Sequence, residues 1–312
     1  MHRRGVIIPV TLRAVPELPD ITVYVERLEA KVRGATLRRV RLLNPFLLRT
    51  ALPPIGEAEG QRVVGVERLG KRVVLALDGA LFLLIHLMIA GRLRWLAAGA
   101  KPPGRITLAL FEFDAGTLAL TEAGSQRRAS LHLLADRDAL AATDPGGVDV
   151  MTCDAAAFVQ RLQLENHTLK RALTDPRLFS GIGNAYSDEI LHRARLSPTA
   201  LSRSLDAAGA QRLLDAARAV LAEWTDRLRA EAGDWPDTVT AFRSGMAVHG
   251  RFGQPCPECG APVQRIVHTS ASKESETNYC ARCQTGGKLL ADRAMSRLLK
   301  SSRPRRLDEL GG

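Results

Sequence analysis

Four cysteines stand in two pairs near the C-terminal end, Cys256-Pro-Glu-Cys259 and Cys280-Ala-Arg-Cys283, with twenty residues between the pairs. Two thiolates two residues apart can hold one face of a tetrahedral Zn²⁺, and a hairpin can bring a second such pair to the opposite face. The spacing predicts one structural zinc on Cys256, Cys259, Cys280 and Cys283. Two disulfides are the competing arrangement. They fit less well with a fifth cysteine, Cys153, alone far upstream and with no secretory apolar segment. A site closed by four thiolates leaves no position for water, so such a metal holds a fold and performs no chemistry.

A second candidate is Gly181-Ile182-Gly183-Asn184, placed where a helix opens. The N–H groups and positive dipole end of a helix start favour an anion, glycines allow close approach, and the Asn184 amide can donate one more hydrogen bond. A plain helix–turn–helix packed into a core would use the same residues. Pro16-Glu17-Leu18-Pro19-Asp20, taken by itself, is a turn with acids at a helix start.

The elements that must position these residues follow from periodicity. Ile21, Val25, Leu28 and Val32 recur at helical spacing behind Pro19, and Gly34 supplies a stop. Short apolar segments follow at Leu37–Leu43, Arg62–Leu69, Arg72–Leu77, Leu81–Leu87, Gly91–Leu96, Ile106–Phe113 and Thr117–Thr121, separated by turns such as Asp78-Gly79 and Ala115-Gly116. That succession predicts an antiparallel sandwich. After the loop Asp144-Pro145-Gly146-Gly147 the pattern is helical from Ala155 almost to Ala232. Within it Leu169–Thr174 ends one helix, Asp175-Pro176-Arg177 turns, another helix runs through Leu191, and a long one covers about Ala207 to Ala230. Trp224 reads as helix packing, whereas Trp235 could stack on a base. His86 reads as a core histidine.

The formal net charge is +11, carried by arginine far more than lysine, which points to a polyanionic partner. No apolar run approaches the roughly twenty residues a membrane helix needs, so a membrane is not expected as a partner. Hydrophobic residues make up 46%, enough for real cores, while aromatics are only 4%, so those cores rest on Leu, Val and Ala.

In this order, the PELPD segment, the amphipathic helix, Leu69-Gly70-Lys71, His86-Leu87-Met88, the segment LTDPRLFSGIGNAYSDE (Leu173–Glu189) and the cysteine hairpin Cys256–Gln284 resemble the formamidopyrimidine-DNA glycosylase / endonuclease VIII family over about residues 16 to 290. The resemblance implies an α+β fold: an N-terminal antiparallel β-sandwich with a flanking helix, then a helical domain with a helix-two-turn-helix and a zinc hairpin. The boundaries it implies are an extension over 1–15, a catalytic sandwich over 16–142, the helix-two-turn-helix part over 151–247, the zinc hairpin over 250–290 and a basic tail over 300–312. DNA would lie between the two main parts.

The function so implied is base excision with AP-lyase activity on double-stranded DNA carrying a damaged base or abasic site. The protein would act as a monomer in the bacterial cytoplasm, on the nucleoid. The amine of an N-terminal proline, here Pro16, would attack C1′ of the flipped nucleotide and form a Schiff base. Glu17 would move protons to the ribose ring oxygen, and Lys71 would hold the sugar-phosphate. Asn184 would bind phosphate, Met88 and Ile89 would enter the strand, Arg127 would face the opposite strand, and Lys273 would contact DNA from the zinc hairpin. As written, Pro16 is internal and its nitrogen is a tertiary amide. A start at the codon of Val15 would expose the amine after processing; a non-catalytic damaged-DNA-binding protein of the same fold is the alternative.

Overall fold

The computed structural model describes residues 15–124, 127–237, 243–270, 273–290 and 305–310, with the side chains of 268–275 and 310 excluded. Residues 1–14 and 300–304, assigned above to an extension and a basic tail, lie outside them. The described residues form two compact units, one drawn from within 1–144 and 224–241 and one from within 145–223 and 242–312. Neither is continuous along the chain.

In the first unit, helix α1 (Leu18–Val32) leads into eight strands: β1 (Arg39–Leu42), β2 (Val63–Leu69), β3 (Arg72–Leu77), β4 (Phe82–His86), β5 (Gly91–Leu96), β6 (Thr107–Phe113), β7 (Gly116–Glu122) and β8 (Ser130–Leu134). They form two four-stranded antiparallel sheets, ordered β1-β6-β7-β5 and β2-β3-β4-β8. One core joins their inner faces. Val73, Leu75 and Leu77 of β3 and Leu83 and Ile85 of β4 pack with Phe111, Leu118 and Leu120 of the other sheet, and Ile21, Tyr24, Leu28 and Val32 of α1 complete it. The α+β sandwich with its flanking helix is the expected architecture.

Two elements escaped the sequence reading, β8 and the helix after it, α2 (Arg137–Ala141). The outer face of the second sheet is apolar too. Val74, Ala76, Phe82, Leu84 and Leu134 pack with Leu140 of α2 there. Strands covered on both faces lose the alternation that marks a half-buried strand.

The second unit contains α3 (Ala155–Leu164), α4 (Leu169–Thr174), α5 (Asn184–Arg193), most of α6 (Ala207–Glu231), the hairpin β9 (Val263–Ser270) and β10 (Lys273–Cys280), and α7 (Ala281–Thr285). Leu169–Thr174 is a helix of its own, not the end of a longer one, because Thr168 caps it by accepting the Arg171 N–H. From Trp224 onward, α6 and the turn after it belong to the first unit. Arg229 there pairs with Glu26 at 2.7 Å, and Trp235 donates its indole N–H to the Leu93 carbonyl at 3.1 Å. Trp235 is therefore a core residue of the sandwich and cannot stack on a base. Trp224 is buried, as its helical position suggested. Arg305–Leu307 folds back beside the zinc hairpin, where Leu289 N–H meets the Arg305 carbonyl and Leu307 N–H the Gly287 carbonyl. No helix among the described residues is long and apolar enough to cross a membrane.

Candidate active site and metal centre

In the sandwich unit, α1 begins at the segment Pro16-Glu17, both residues buried. The Asp20 carboxylate accepts the Glu17 backbone N–H at 2.9 Å, so the helix start fixes the backbone at Glu17. The helix packs along β2: Glu29 accepts the Val66 N–H at 2.6 Å, and Gly34 donates to the Val63 carbonyl at 2.8 Å. Moving from these contacts toward the helix start therefore moves toward the tip of the β2–β3 hairpin. Glu17 lies about 18 Å back along the helix at 1.5 Å per residue, and Lys71 about 17 Å along the strand at 3.3 Å per residue. The two sit at one end of the unit.

Lys71 occupies the second position of the two-residue turn joining Leu69 to Arg72. Gly70, at the first position, has φ +63°, the conformation that a hairpin turn of this kind requires there. The register Arg72–His86–Ser130 carries that end across three strands. Immediately past His86 comes the turn Leu87–Gly91, which holds Met88 and Ile89. Gly91 N–H closes the turn on the Leu87 carbonyl at 2.9 Å, and a Cβ on Gly91 would lie 2.2 Å from that oxygen, so only glycine fits. Met88 itself has φ +52°, a left-handed conformation that costs a side-chain-bearing residue about 1–2 kcal/mol. Arg92 donates to the carbonyls of Ile89 and Gly91 and braces the turn from behind.

Arg127 and Arg128 arrive at the same end. The buried Glu122 accepts the N–H groups of Arg128 at 2.9 Å and Ala129 at 3.0 Å, while exposed Arg127 donates to the Arg105 carbonyl at 2.7 Å. Of the residues singled out from the sequence, Pro16, Glu17, Lys71, Met88, Ile89 and Arg127 thus gather at one end of the first unit. Glu122 was not among them: it sits in an ordinary strand, and only the fold shows what its carboxylate holds.

His86 is half-buried at this end, and it belongs to no group of three or more metal-ligating side chains among the described residues. Burial, followed by the charges of Arg72 and Lys71, pushes its pKa down to about 4. A histidine whose pKa is lower folded than unfolded stays neutral in the fold while the unfolded chain takes up a proton. Stability should then fall from about pH 6.5 down to the folded pKa and level off below it, by up to about 3 kcal/mol. Urea unfolding at pH 7 and pH 5 should show a shallower loss in His86→Gln than in the parent; equal losses would remove His86 as the cause.

In the second unit, α4 and α5 flank a turn built on Asp175, whose carbonyl accepts the N–H groups of Leu178 and Phe179 at 3.0 Å. Asn184 is the first residue of α5, and Gly183 at the cap position offers no side chain to its first turn. Behind it lies a buried charge network. Lys170 reaches Asp188 at 2.5 Å, Ser187 Oγ at 2.8 Å and the Asn184 carbonyl at 2.6 Å. Asp188 also meets His249 Nδ1 at 2.8 Å and the Asn278 N–H at 3.1 Å, and Glu189 accepts three backbone N–H groups from Ala247, Val248 and His249. One turn of α5 thereby fixes both the segment 247–249 and strand β10.

The four cysteine sulfurs of that unit lie within 4.8 Å of one another, with Cys259–Cys280 at 3.4 Å and Cys256–Cys283 at 3.9 Å. A tetrahedral zinc with Zn–S bonds of about 2.3 Å demands sulfur–sulfur edges of about 3.8 Å, so the donors fit it. Burial and the neighbouring sulfurs push the Cys280 thiol up to about 11 and raise Cys283 as well, so a dication at the centre is what would let these two ionise. The chain has one structural zinc site, on Cys256, Cys259, Cys280 and Cys283. Cys153 lies apart and half-buried, and burial raises its thiol. The side chain of Lys273 lies outside the described residues.

Comparison with known proteins matches the same three parts. The family described as formamidopyrimidine-DNA glycosylase N-terminal domain matches residues 15–129, its H2TH domain residues 143–228, and a zinc finger found in FPG and IleRS residues 253–286. A formamidopyrimidine-DNA glycosylase of Thermus thermophilus is 36% identical over 289 residues, 88% of this chain and 100% of the relative. The chain belongs to the formamidopyrimidine-DNA glycosylase family. The crystal structure of the MutM (Fpg) protein of Thermus thermophilus superposes with a TM-score of 0.72 at 34% identity, over 86% of this chain and 98% of that one. The Lactococcus lactis family member, solved non-covalently bound to DNA containing an AP site, shares the fold at 22% identity, with a TM-score of 0.74 over 86% of this chain and 99% of that one.

Proposed function

We propose that the chain is a base-excision DNA glycosylase and AP lyase acting on double-stranded DNA with a damaged base or abasic site, through the amine of a form that begins at Pro16. The observation that carries this reading is the gathering of Pro16, Glu17, Lys71 and the Met88 and Arg127 loops at one end of the sandwich unit. The Pro16 nitrogen attacks C1′, the base departs, and the resulting iminium acidifies the C2′ protons so that elimination cuts the strand. Glu17 supplies and removes protons at the ribose ring oxygen. Lys71 and Asn184 hold phosphates, the second at the dipole end of α5. Family relatives named as formamidopyrimidine-DNA glycosylases, matched over most of this chain, support the reaction class.

The test is covalent trapping. Borohydride should fix a Pro16-start chain to abasic DNA, because reduction turns the Schiff base into a stable amine. A chain starting at Met1 should not be trapped through Pro16, whose nitrogen it acylates. Absence of both trapping and strand cleavage in the Pro16-start chain would leave a damaged-DNA-binding protein. A trap mapped to Lys71 would keep the lyase and replace the nucleophile.

A further inference from the structure

We propose that His192 is a hydrogen-bond donor to the zinc-bound thiolate of Cys256, and that this bond sets how firmly the chain retains its metal. The imidazole Nε2 lies 3.3 Å from Cys256 Sγ, and both residues are buried, at 5% and 2% exposure. His192 stands in the last turn of α5, outside the metal-binding loops. The zinc loops supply their own donor at Cys280, whose sulfur faces the Cys283 N–H at 3.5 Å. At Cys256 the donor comes from α5 instead.

The chemistry of the contact fixes the direction of the bond. A metal-bound thiolate has lone pairs and no proton, so a ring nitrogen at this distance must carry the hydrogen. Zinc held by four thiolates has an excess of negative charge in a buried place. An N–H aimed at one sulfur takes up part of that charge, lowers the proton affinity and nucleophilicity of the sulfur, and slows its departure from the metal. The imidazole is well held to do so. Its helix is tied to β10 by Asp188 and Asn278 at 3.1 Å, and Gln284, beside the last cysteine, bridges the Cys280 N–H and the Leu196 carbonyl just beyond α5. His192 is thus a positioning residue for the metal centre.

The experiment has two arms on the full zinc-loaded chain. A long-range ¹H–¹⁵N spectrum of histidine-labelled protein should show His192 protonated at Nε2. A bare Nε2, whether bound to metal in place of Cys256 or simply turned away, overturns the proposal and needs no variant to do so. In the second arm, His192→Phe keeps the ring and removes the donor, while His192→Gln returns an N–H at the reach of Nε2. Zinc should pass to a chelator about 10–100-fold faster from the Phe variant. The thiolate-to-metal band of the cobalt-loaded Phe variant should move to longer wavelength, and Gln should restore both readouts toward the parent. Unchanged release and spectra in Phe, or equal losses in Phe and Gln, would mean packing alone and overturn it.

Discussion

Cys256→Ser should leave the chain without its zinc and its second unit without a folded hairpin. Cys256, Cys280, Ala261, Val263 and Val248 make a small apolar cluster around the metal, far too little to fold by itself. Structural zinc contributes on the order of 10 kcal/mol or more to modules of this kind, so the loss exceeds what the cluster can offset. The damage should spread along named bonds. Asn278 would leave Asp188 and Gln284 would leave the Leu196 carbonyl, which loosens both ends of α5. Zinc content by mass spectrometry should fall from one ion per chain to none, and hydrogen exchange should quicken over 253–290 and at Leu196 while β3 and β4 keep their protection. A variant that retains a full equivalent of zinc would refute the four-thiolate site.

Lys170→Met should be the most costly single change away from the metal. Asp188 has 0% exposure, and Lys170 is the ammonium against it. Removing one partner of a buried pair strands the other, which typically costs about 3–5 kcal/mol. Burial by itself would raise the Asp188 carboxyl, yet the Lys170 charge and the His249 contact outweigh it and hold the group below the usual carboxylate range. A carboxyl lower in the fold than in the unfolded chain stabilises above its unfolded pKa of about 3.9 and loses that contribution as pH falls through its folded value. The parent should therefore weaken at acid pH through this pair. In Lys170→Met the carboxyl rises and that acid-side loss should shrink or reverse. Adding Asp188→Asn to Lys170→Met should recover stability, since no buried charge is left unpaired. Denaturant titrations of the parent, the two single variants and the double variant measure the coupling directly, and additive losses would show that the contact carries none.

What could be read in advance depended on how local the information was. The zinc ligands were legible because two residues within a pair and twenty between pairs constrain geometry by themselves. Helix α1 and the early strands were legible through their periods. Strand β8 was not, since Leu131 and Leu133 face the shared core while Leu134 turns to a face that α2 also covers. The buried network of the second unit was illegible for another reason. Lys170, Asp188, His249 and Asn278 are brought together across 18, 61 and 90 positions, and no spacing rule joins them. Met88 was named for its place in a motif, but its left-handed backbone follows from the closure of Gly91 on Leu87, which no residue preference for methionine foretells. That Trp235 packs in the core and does not stack on a base was not legible either, because its neighbours Tyr24 and Trp95 lie more than a hundred residues earlier.

That same tryptophan dictates an order of events during synthesis. The sandwich draws its last core side chain, with the Lys31–Asp234 and Glu26–Arg229 pairs beside it, from a stretch made some ninety residues after β8. At about 5–20 residues per second, the nascent first unit waits several seconds with an open slot at Tyr24, Leu93 and Trp95. A fragment ending at residue 144 would lack the stretch 224–237 that fills this slot in the intact chain. Cutting the gene into an N-terminal and a C-terminal half therefore leaves the first unit's closing piece encoded on the wrong side of the cut.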